Sequence, residues 1–306
     1  MLRNTLLYLS NQPRVFGFVR TNSIARRFAS RFVAGETLDT AVAAVRALNS
    51  RGITASLDLL GESVTNEAEA RATGATYIRI LDRIRQDGLD ANVSVKLTAL
   101  GLDISEELCV SVMQSMLERA REYGNFVRID MEDSSLTQVT LDIVRRIHAL
   151  PKMRGAIGTV IQAYLYRSEA DIQQLVDDGI RIRLCKGAYK EPATVAFPKK
   201  PDVDGNYVKL TGMLLSSPVY HGIATHDVNM IAAAKAYARE HSIDASRYEF
   251  QMLYGVRRDL QRDLVREGYG MRVYVPFGRE WYPYFMRRLA ERPANVFFLA
   301  KNMLRS

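Results

Sequence analysis

A chain of 306 residues, 47% hydrophobic and 25% charged, can bury one large core or two smaller ones and has the composition of a soluble globular enzyme. No run of eighteen uncharged apolar residues occurs, so no hydrophobic membrane span is expected. The two cysteines, Cys109 and Cys185, are too few for a disulfide framework and suit a reducing compartment, and the four histidines form no ligand pattern with cysteine or acid, so no metal site is expected.

The net charge of +8 is weighted toward the front, where Arg3, Arg14, Arg20, Arg26, Arg27 and Arg31 precede the first acidic residue, Glu36. An Arg-rich, acid-free start is shared by mitochondrial transit peptides and by basic helical arms that touch anionic lipid headgroups. Residues 32–47 run without a linker into an apolar-periodic helix, which favours a retained arm and peripheral membrane contact. Nucleic acid is the weaker reading, because the basic residues are not interleaved with a binding module.

After residue 50 the pattern alternates. β-rich runs fall at Thr54–Gly61, Val93–Leu100, Phe126–Glu132, Thr159–Leu165, Arg181–Ala188, His221–Asp227, Tyr248–Gly255 and Arg272–Gly278. Amphipathic helical stretches separate them. One opens at Asn66 with Glu69 at capping-box spacing and carries Tyr77, Ile80, Leu81 and Ile84 as an apolar stripe. Eight β/α units of this size predict an α/β fold, a closed (β/α)8 TIM-type barrel over 51–306. Residues 1–50 would form an N-terminal helical arm packed on it, and residues 293–306 a terminal helix. A doubly wound open sheet is the rival, disfavoured because no G-x-G-x-x-G turn follows an early strand.

Barrel chemistry gathers at the C-terminal ends of the strands. The polar residues there are Asp58, Glu62, Lys96, Asp130, Gln162, Arg183, Lys186, Thr225, His226, Asp227, Gln251 and Tyr274. Any one of them can be a layer residue in an internal ion pair; so many charged positions exceed what a packed apolar barrel needs. The run RIRLCKGAY, residues 181–189, is the sharpest case, because two cations at the end of a buried strand are costly unless an anion or electron-rich ligand meets them. Gly187 would let that ligand approach the backbone closely.

The segments VSVKL around Lys96, RIDMED around Asp130, VIQAY around Gln162, RLCKGAY from Arg183, ATHD around His226 and VYVP…RRLAE near the end resemble one family, proline dehydrogenase, in order and one per strand from Thr54 to Leu299. The compact length resembles the bacterial monofunctional members. The resemblance implies FAD across the strand ends, held by Met131, Gln162, Arg183, Lys186, Gly187, Ala188, Thr225 and His226. It implies L-proline gripped by Lys96, Arg287 and Arg288, with Tyr274 and Leu184 against its ring and Tyr189 bordering the pocket. Asp130 and Arg183 would be the catalytic residues, Asp130 by orienting Lys96 and Arg183 by reaching the flavin N5 region, and Glu62 would gate the site by pairing with Arg183.

The implied reaction is hydride transfer from C5 of proline to flavin N5, giving Δ1-pyrroline-5-carboxylate, the first step of proline degradation. Electrons would pass to a membrane quinone, placing the chain in the bacterial cytoplasm, peripheral to the inner membrane. Both arginines can converge on the site only if their helix lies over the barrel mouth; otherwise Arg287 would pair with Glu291 on an exposed face. Lys190 stands where the fused enzymes carry an aromatic residue, and the stretch from Tyr274 to Arg287 is two residues shorter than theirs. Two other classes compete: a Schiff-base aldolase or lyase using Lys96 or Lys186 as nucleophile, and a basic scaffold or nucleic-acid-binding protein with steep salt dependence.

Overall fold

The computed structural model describes residues 29–61 and 63–291. The expected N-terminal arm, apart from residues 29–50, the terminal helix at 293–306 and Glu62 lie outside them.

Helix α1 (Leu38–Asn49) opens on a capping box between Thr37 and Thr40. Eight strands follow: β1 (Thr54–Leu59), β2 (Ala91–Val95), β3 (Val127–Ile129), β4 (Ile157–Gln162), β5 (Arg181–Cys185), β6 (His221–Ala224), β7 (Tyr248–Leu253) and β8 (Gly270–Phe277). Each is followed by a helix: α2 (Glu67–Gln86), α3 (Glu106–Glu122), α4 (Thr137–His148), α5 (Ser168–Asp177), α6 (Lys200–Ser216), α7 (Val228–Glu240), α8 (Arg258–Arg266) and α9 (Trp281–Glu291). All neighbouring strands are parallel, and β8 pairs with β1, closing the expected barrel.

All eight strands stop short of the ends read from the sequence, β8 by a single residue. The expected runs were carried into the loops by apolar and β-branched residues that leave the ladder. β2 falls furthest short, ending at Val95 instead of Leu100, and after β3 Asp133 turns the chain by accepting from the Ser135 amide. At α2 the Asn66 side chain accepts from the Glu69 amide, but the Glu69 carboxylate returns to the Thr65 amide and not to Asn66, so only half of the expected box forms. The stripe of Tyr77, Ile80, Leu81 and Ile84 is buried as expected.

Strand side chains alternate between two environments. One set, including Ala55, Leu57, Val93, Val127, Ile129, Ile182, Leu184, Phe250 and Val273, is fully buried in the main apolar core. The other set faces the lumen and is polar: Ser56, Asn92, Ser94, Arg128, Asp130, Arg183, Glu249 and Gln251 are all buried. Apolar packing therefore lies outside the barrel, and hydrogen bonds fill its inside.

A second apolar cluster joins Ala29, Phe32 and Val33 to Leu60, Val256, Trp281, Tyr282, Phe285 and Met286. The backbone fixes it: Ala34 N donates to Pro276 O at 2.8 Å, Leu60 N to Phe277 O at 2.8 Å, and Gly278 N to Gly35 O at 3.0 Å. Trp281 Nε1 donates to Glu36 at 2.9 Å. Burying aromatic side chains of this kind stabilises by about 1.5–3 kcal/mol each. Helix α9 is thereby anchored beside the C-terminal ends of β7, β8 and β1.

Candidate active site

Arg183 comes from the third position of β5 and points into the lumen, where it is 7% exposed. A buried guanidinium must spend its donors. Nη1 donates to Asp130 Oδ1 at 2.8 Å and to Ser94 Oγ at 3.2 Å, Nε to Gln251 Oε1 at 2.6 Å, and Nη2 to Ser56 Oγ at 3.4 Å. Asp130, one residue past β3, accepts from Ser94 Oγ at 2.7 Å through Oδ1 and from Tyr274 Oη at 2.8 Å through Oδ2. The Tyr274 ring lies under the Arg183 guanidinium, 5.2 Å from its centroid. Burial, then the charge of Asp130, pushes the Tyr274 hydroxyl well above its ordinary pKa, so it stays a donor.

Asp130, expected to orient Lys96, pairs with Arg183. Asp130 has both oxygens committed in the lumen, while Lys96 stands one residue past β2 and is half-buried. Leu184 requires a correction too. It alternates to the outer face of β5 from Arg183, fully buried in the apolar core, so it does not face a ligand in the lumen.

At the rim, Lys186 donates to Asp227 at 2.8 Å and to Asp204 at 2.5 Å, tying β5 to α6 and to the cap of α7. Its hydrogen bond holds the Asp227 carboxyl below the ordinary range. At Asp204, burial pushes the carboxyl up, but Lys186 and Lys200 together outweigh it. Gly187 has φ +115°, and a Cβ there would fall 2.4 Å from the Tyr164 ring, so tyrosine packing alone already demands glycine. Ala188 is exposed and Tyr189 half-buried beside it.

Gln162 Nε2 donates to Glu132 O at 2.8 Å, which leaves the amide oxygen without a partner among the described residues. Met131 is buried next to that contact. The Thr225 hydroxyl accepts from the Asp227 amide at 3.1 Å, and His226 Nε2 accepts from the Leu253 amide at 2.9 Å, which fixes its proton on Nδ1. Arg288 on α9 is half-buried with its guanidinium 5.2 Å from the Tyr284 centroid. Arg287 lies on the same helix, and its side chain, like Glu62, is outside the described set.

Cys185 packs against the main apolar core, and burial pushes its thiol up to about 12, so it is no nucleophile. The sequence reading missed Ser56, Asn92, Ser94, Glu132, Glu249 and Arg272. The available signal was polar residues recurring at every second position within strands otherwise rich in Val and Leu, as in Ser56 with Asp58 and Asn92 with Ser94. Glu132 bonds the Thr98 amide at 3.1 Å and hydroxyl at 2.7 Å, a loop contact without a periodic signal.

Comparison with known proteins decides the class of this site. The profile of the proline dehydrogenase family matches residues 41–301. The chain belongs to that family. It is 44% identical over 305 residues to proline dehydrogenase 1 of Bacillus subtilis (strain 168), covering 100% of both chains. It is 41% identical over 310 residues to the proline dehydrogenase of Deinococcus radiodurans, covering 100% of this chain and 98% of that one. Among solved structures, proline utilization A from Bdellovibrio bacteriovorus, inactivated by N-propargylglycine, superposes with a TM-score of 0.83 at 28% identity. That match covers 89% of this chain and 33% of the larger protein. The chain is therefore a proline-oxidising enzyme of the monofunctional bacterial type. The Schiff-base lyase and nucleic-acid readings fall with this finding.

Proposed function

We propose that the chain oxidises L-proline to Δ1-pyrroline-5-carboxylate with FAD as cofactor and a membrane quinone as final acceptor. The observation that carries this is the Arg183–Asp130–Tyr274 unit, a buried cation held rigidly at the mouth of a polar lumen beneath α9. FAD, when bound, supplies an acceptor for the hydride that leaves C5. Loss of that hydride and of the N–H proton converts the amine to the C=N bond of the product.

The donor set fits this cofactor. Arg183 offers a desolvated positive charge to a ring that becomes electron-rich. The unspent Gln162 oxygen suits a ring edge that presents an N–H. Lys186, with Gly187, Ala188, Thr225 and His226 beside the amino end of α7, offers donors to a diphosphate, which would share Lys186 with Asp227. Met131 would border the ring.

For the substrate, Lys96, Arg287 and Arg288 would take the carboxylate, Arg contributing a planar fork that matches it. Tyr274 would close the pocket on one side, and Glu62 would close it above Arg183. Holding C5 in line is the main catalytic contribution, and such positioning reaches about 7–11 kcal/mol at best. No side chain acts as a nucleophile.

The test is turnover of L-proline with a soluble quinone as acceptor, the cyclic imine being trapped with o-aminobenzaldehyde. Imine formation matching quinone reduced is expected. Proline-independent quinone reduction, or proline consumed without imine, would remove the reading. No helix among the described residues is long and apolar enough to cross a membrane. Contact would therefore rest on the basic residues before Glu36, and deleting residues 1–28 is expected to weaken binding to anionic vesicles.

A further inference from the structure

The lumen beneath the site holds three buried polar side chains that the reaction does not use, Gln251, Glu249 and Asn92, together with the half-buried Arg272. They form a closed circuit with Arg183. Arg183 Nε donates to Gln251 Oε1 at 2.6 Å, and Gln251 Nε2 donates to Glu249 Oε1 at 2.6 Å. Glu249 Oε1 also accepts from Arg272 Nε at 2.7 Å, and Arg272 Nη1 donates to Asn92 Oδ1 at 3.0 Å. Ser56 Oγ donates to that same Asn92 oxygen at 2.6 Å and accepts from Arg183 Nη2 at 3.4 Å.

The circuit has a direction. An amide flipped at Gln251 would set its NH2 against the Arg183 Nε–H and its oxygen against a carboxylate, two like-with-like contacts. The Glu249 charge, fixed by Arg272, therefore holds the amide oxygen toward Arg183. The strand beside it is shaped for this amide: a Cβ on Gly222 of β6 would fall 2.2 Å from Gln251 Nε2. Asp130 and Ser94 grip the Nη1 end of the guanidinium, and an arginine side chain carries about 2 kcal/mol of rotamer entropy. The bond at Nε fixes the plane.

We infer that Gln251 is a positioning residue for Arg183, its amide locked by the Glu249–Arg272 pair and accommodated by Gly222. The inference rests on the reading that Arg183 faces the charge developing on a bound flavin. Gln251 touches neither substrate nor cofactor; it sets the angle at which the cation meets them.

The experiment compares the flavin-loaded parent with Gln251→Met, Gly222→Ala, Gln251→Glu and the double variant Q251E/E249Q. The readouts are kcat, KM for L-proline, the reduction potential of the bound flavin, and Tm. Gln251→Met and Gly222→Ala are expected to lower kcat about tenfold with KM within about twofold and the potential moved to more negative values. Gln251→Glu sets two carboxylates together and is expected to behave likewise. The double variant exchanges amide and carboxylate, restores both hydrogen bonds, and is expected to return kcat and potential to within about threefold and close to the parent, respectively. A purely structural role would lower Tm in the single variants and leave the potential in place, which would overturn the inference. So would single variants with parental kcat, or a folded, flavin-replete double variant without recovery. A competent parent with insensitive variants removes this inference alone, whereas a parent that neither holds flavin nor oxidises proline removes the functional reading and this inference with it.

Discussion

The two ends of the barrel lumen are both charged and buried, yet they are built differently. At the N-terminal end, Arg128 donates to the carbonyls of Thr159 and Arg181 at 2.9 and 2.8 Å and lies 4.7 Å from the Phe126 centroid. Close by, Glu249 takes Arg272 and the Tyr220 hydroxyl. At the C-terminal end, Arg183 and Asp130 form an ion pair with the Tyr274 ring against it, and Lys96, Lys186 and His226 stand half-buried around the opening. The lower end is a plug whose polar groups bond one another and the backbone, with Arg128 Nε left without a hydrogen-bond partner among the described residues. The upper end closes Arg183 in with Asp130, and leaves Lys96, Lys186 and His226 only half-buried at the rim. Burial of charge alone does not separate a site from a plug; what separates them is whether the charge is closed off or left facing a mouth.

This contrast is sharpest at Asp130. Asp130→Ala would leave Arg183 buried without its carboxylate, and a broken buried pair costs about 3–5 kcal/mol. A denaturant titration should show that loss, together with a collapse of proline turnover in whatever folds. A loss below about 1 kcal/mol would mean that the pair is not desolvated.

Tyr274→Phe is milder. It keeps the ring beneath Arg183 and removes one charge-assisted bond to Asp130, so kcat/KM should fall about tenfold, the effect of about 1.4 kcal/mol. Because the Tyr274 hydroxyl is held neutral well above its ordinary range, the alkaline limb of the parent's pH–rate profile should survive in this variant. A limb that vanished would assign the titration to the tyrosine.

Arg128→Met tests the plug. Two carbonyls lose their donor, lowering stability by about 1–3 kcal/mol, while kcat per folded molecule should be unchanged. A kcat effect here comparable with that of Tyr274→Phe would erase the distinction between the two ends.

The smallest effect is at His221, at the start of β6, whose Nδ1 accepts from the Ile182 amide at 3.0 Å. Burial, then Arg128 and Arg181, lowers its pKa to about 3. Between there and the unfolded value of about 6.5 the unfolded chain holds a proton that the folded chain refuses, so stability falls as pH falls through that window. This one group contributes a slope of at most about 1.4 kcal/mol per pH unit. His221→Asn should flatten stability by that amount in a pH series of denaturant titrations; an unchanged slope would assign it elsewhere.

The barrel was legible because strand and helix periods alternate eight times, and period is a local property. Strand ends were less so, since residues such as Lys186 and Gly187 look β-like or neutral in sequence and leave the ladder for tertiary reasons. Arg183, Asp130 and Tyr274 were legible as polar residues at strand ends and again in the family motifs, but their mutual pairing was not, because one dimension does not say which cation a carboxylate meets across a barrel. The plug was missed for a related reason. Glu249 and Arg272 sit near strand starts, where a charge reads as a solvated end, and only closure of the sheet turns them inward.

The central claim is that Arg183, held by Asp130 at the lumen mouth, serves a redox cofactor poised over bound proline. Its most direct test is the visible spectrum of the purified protein, recorded before and after anaerobic addition of L-proline. The account predicts oxidised flavin bands that bleach with proline in the parent and bleach far more slowly in Asp130→Ala. A colourless protein that cannot be loaded with FAD, or flavin bands untouched by proline, would contradict it.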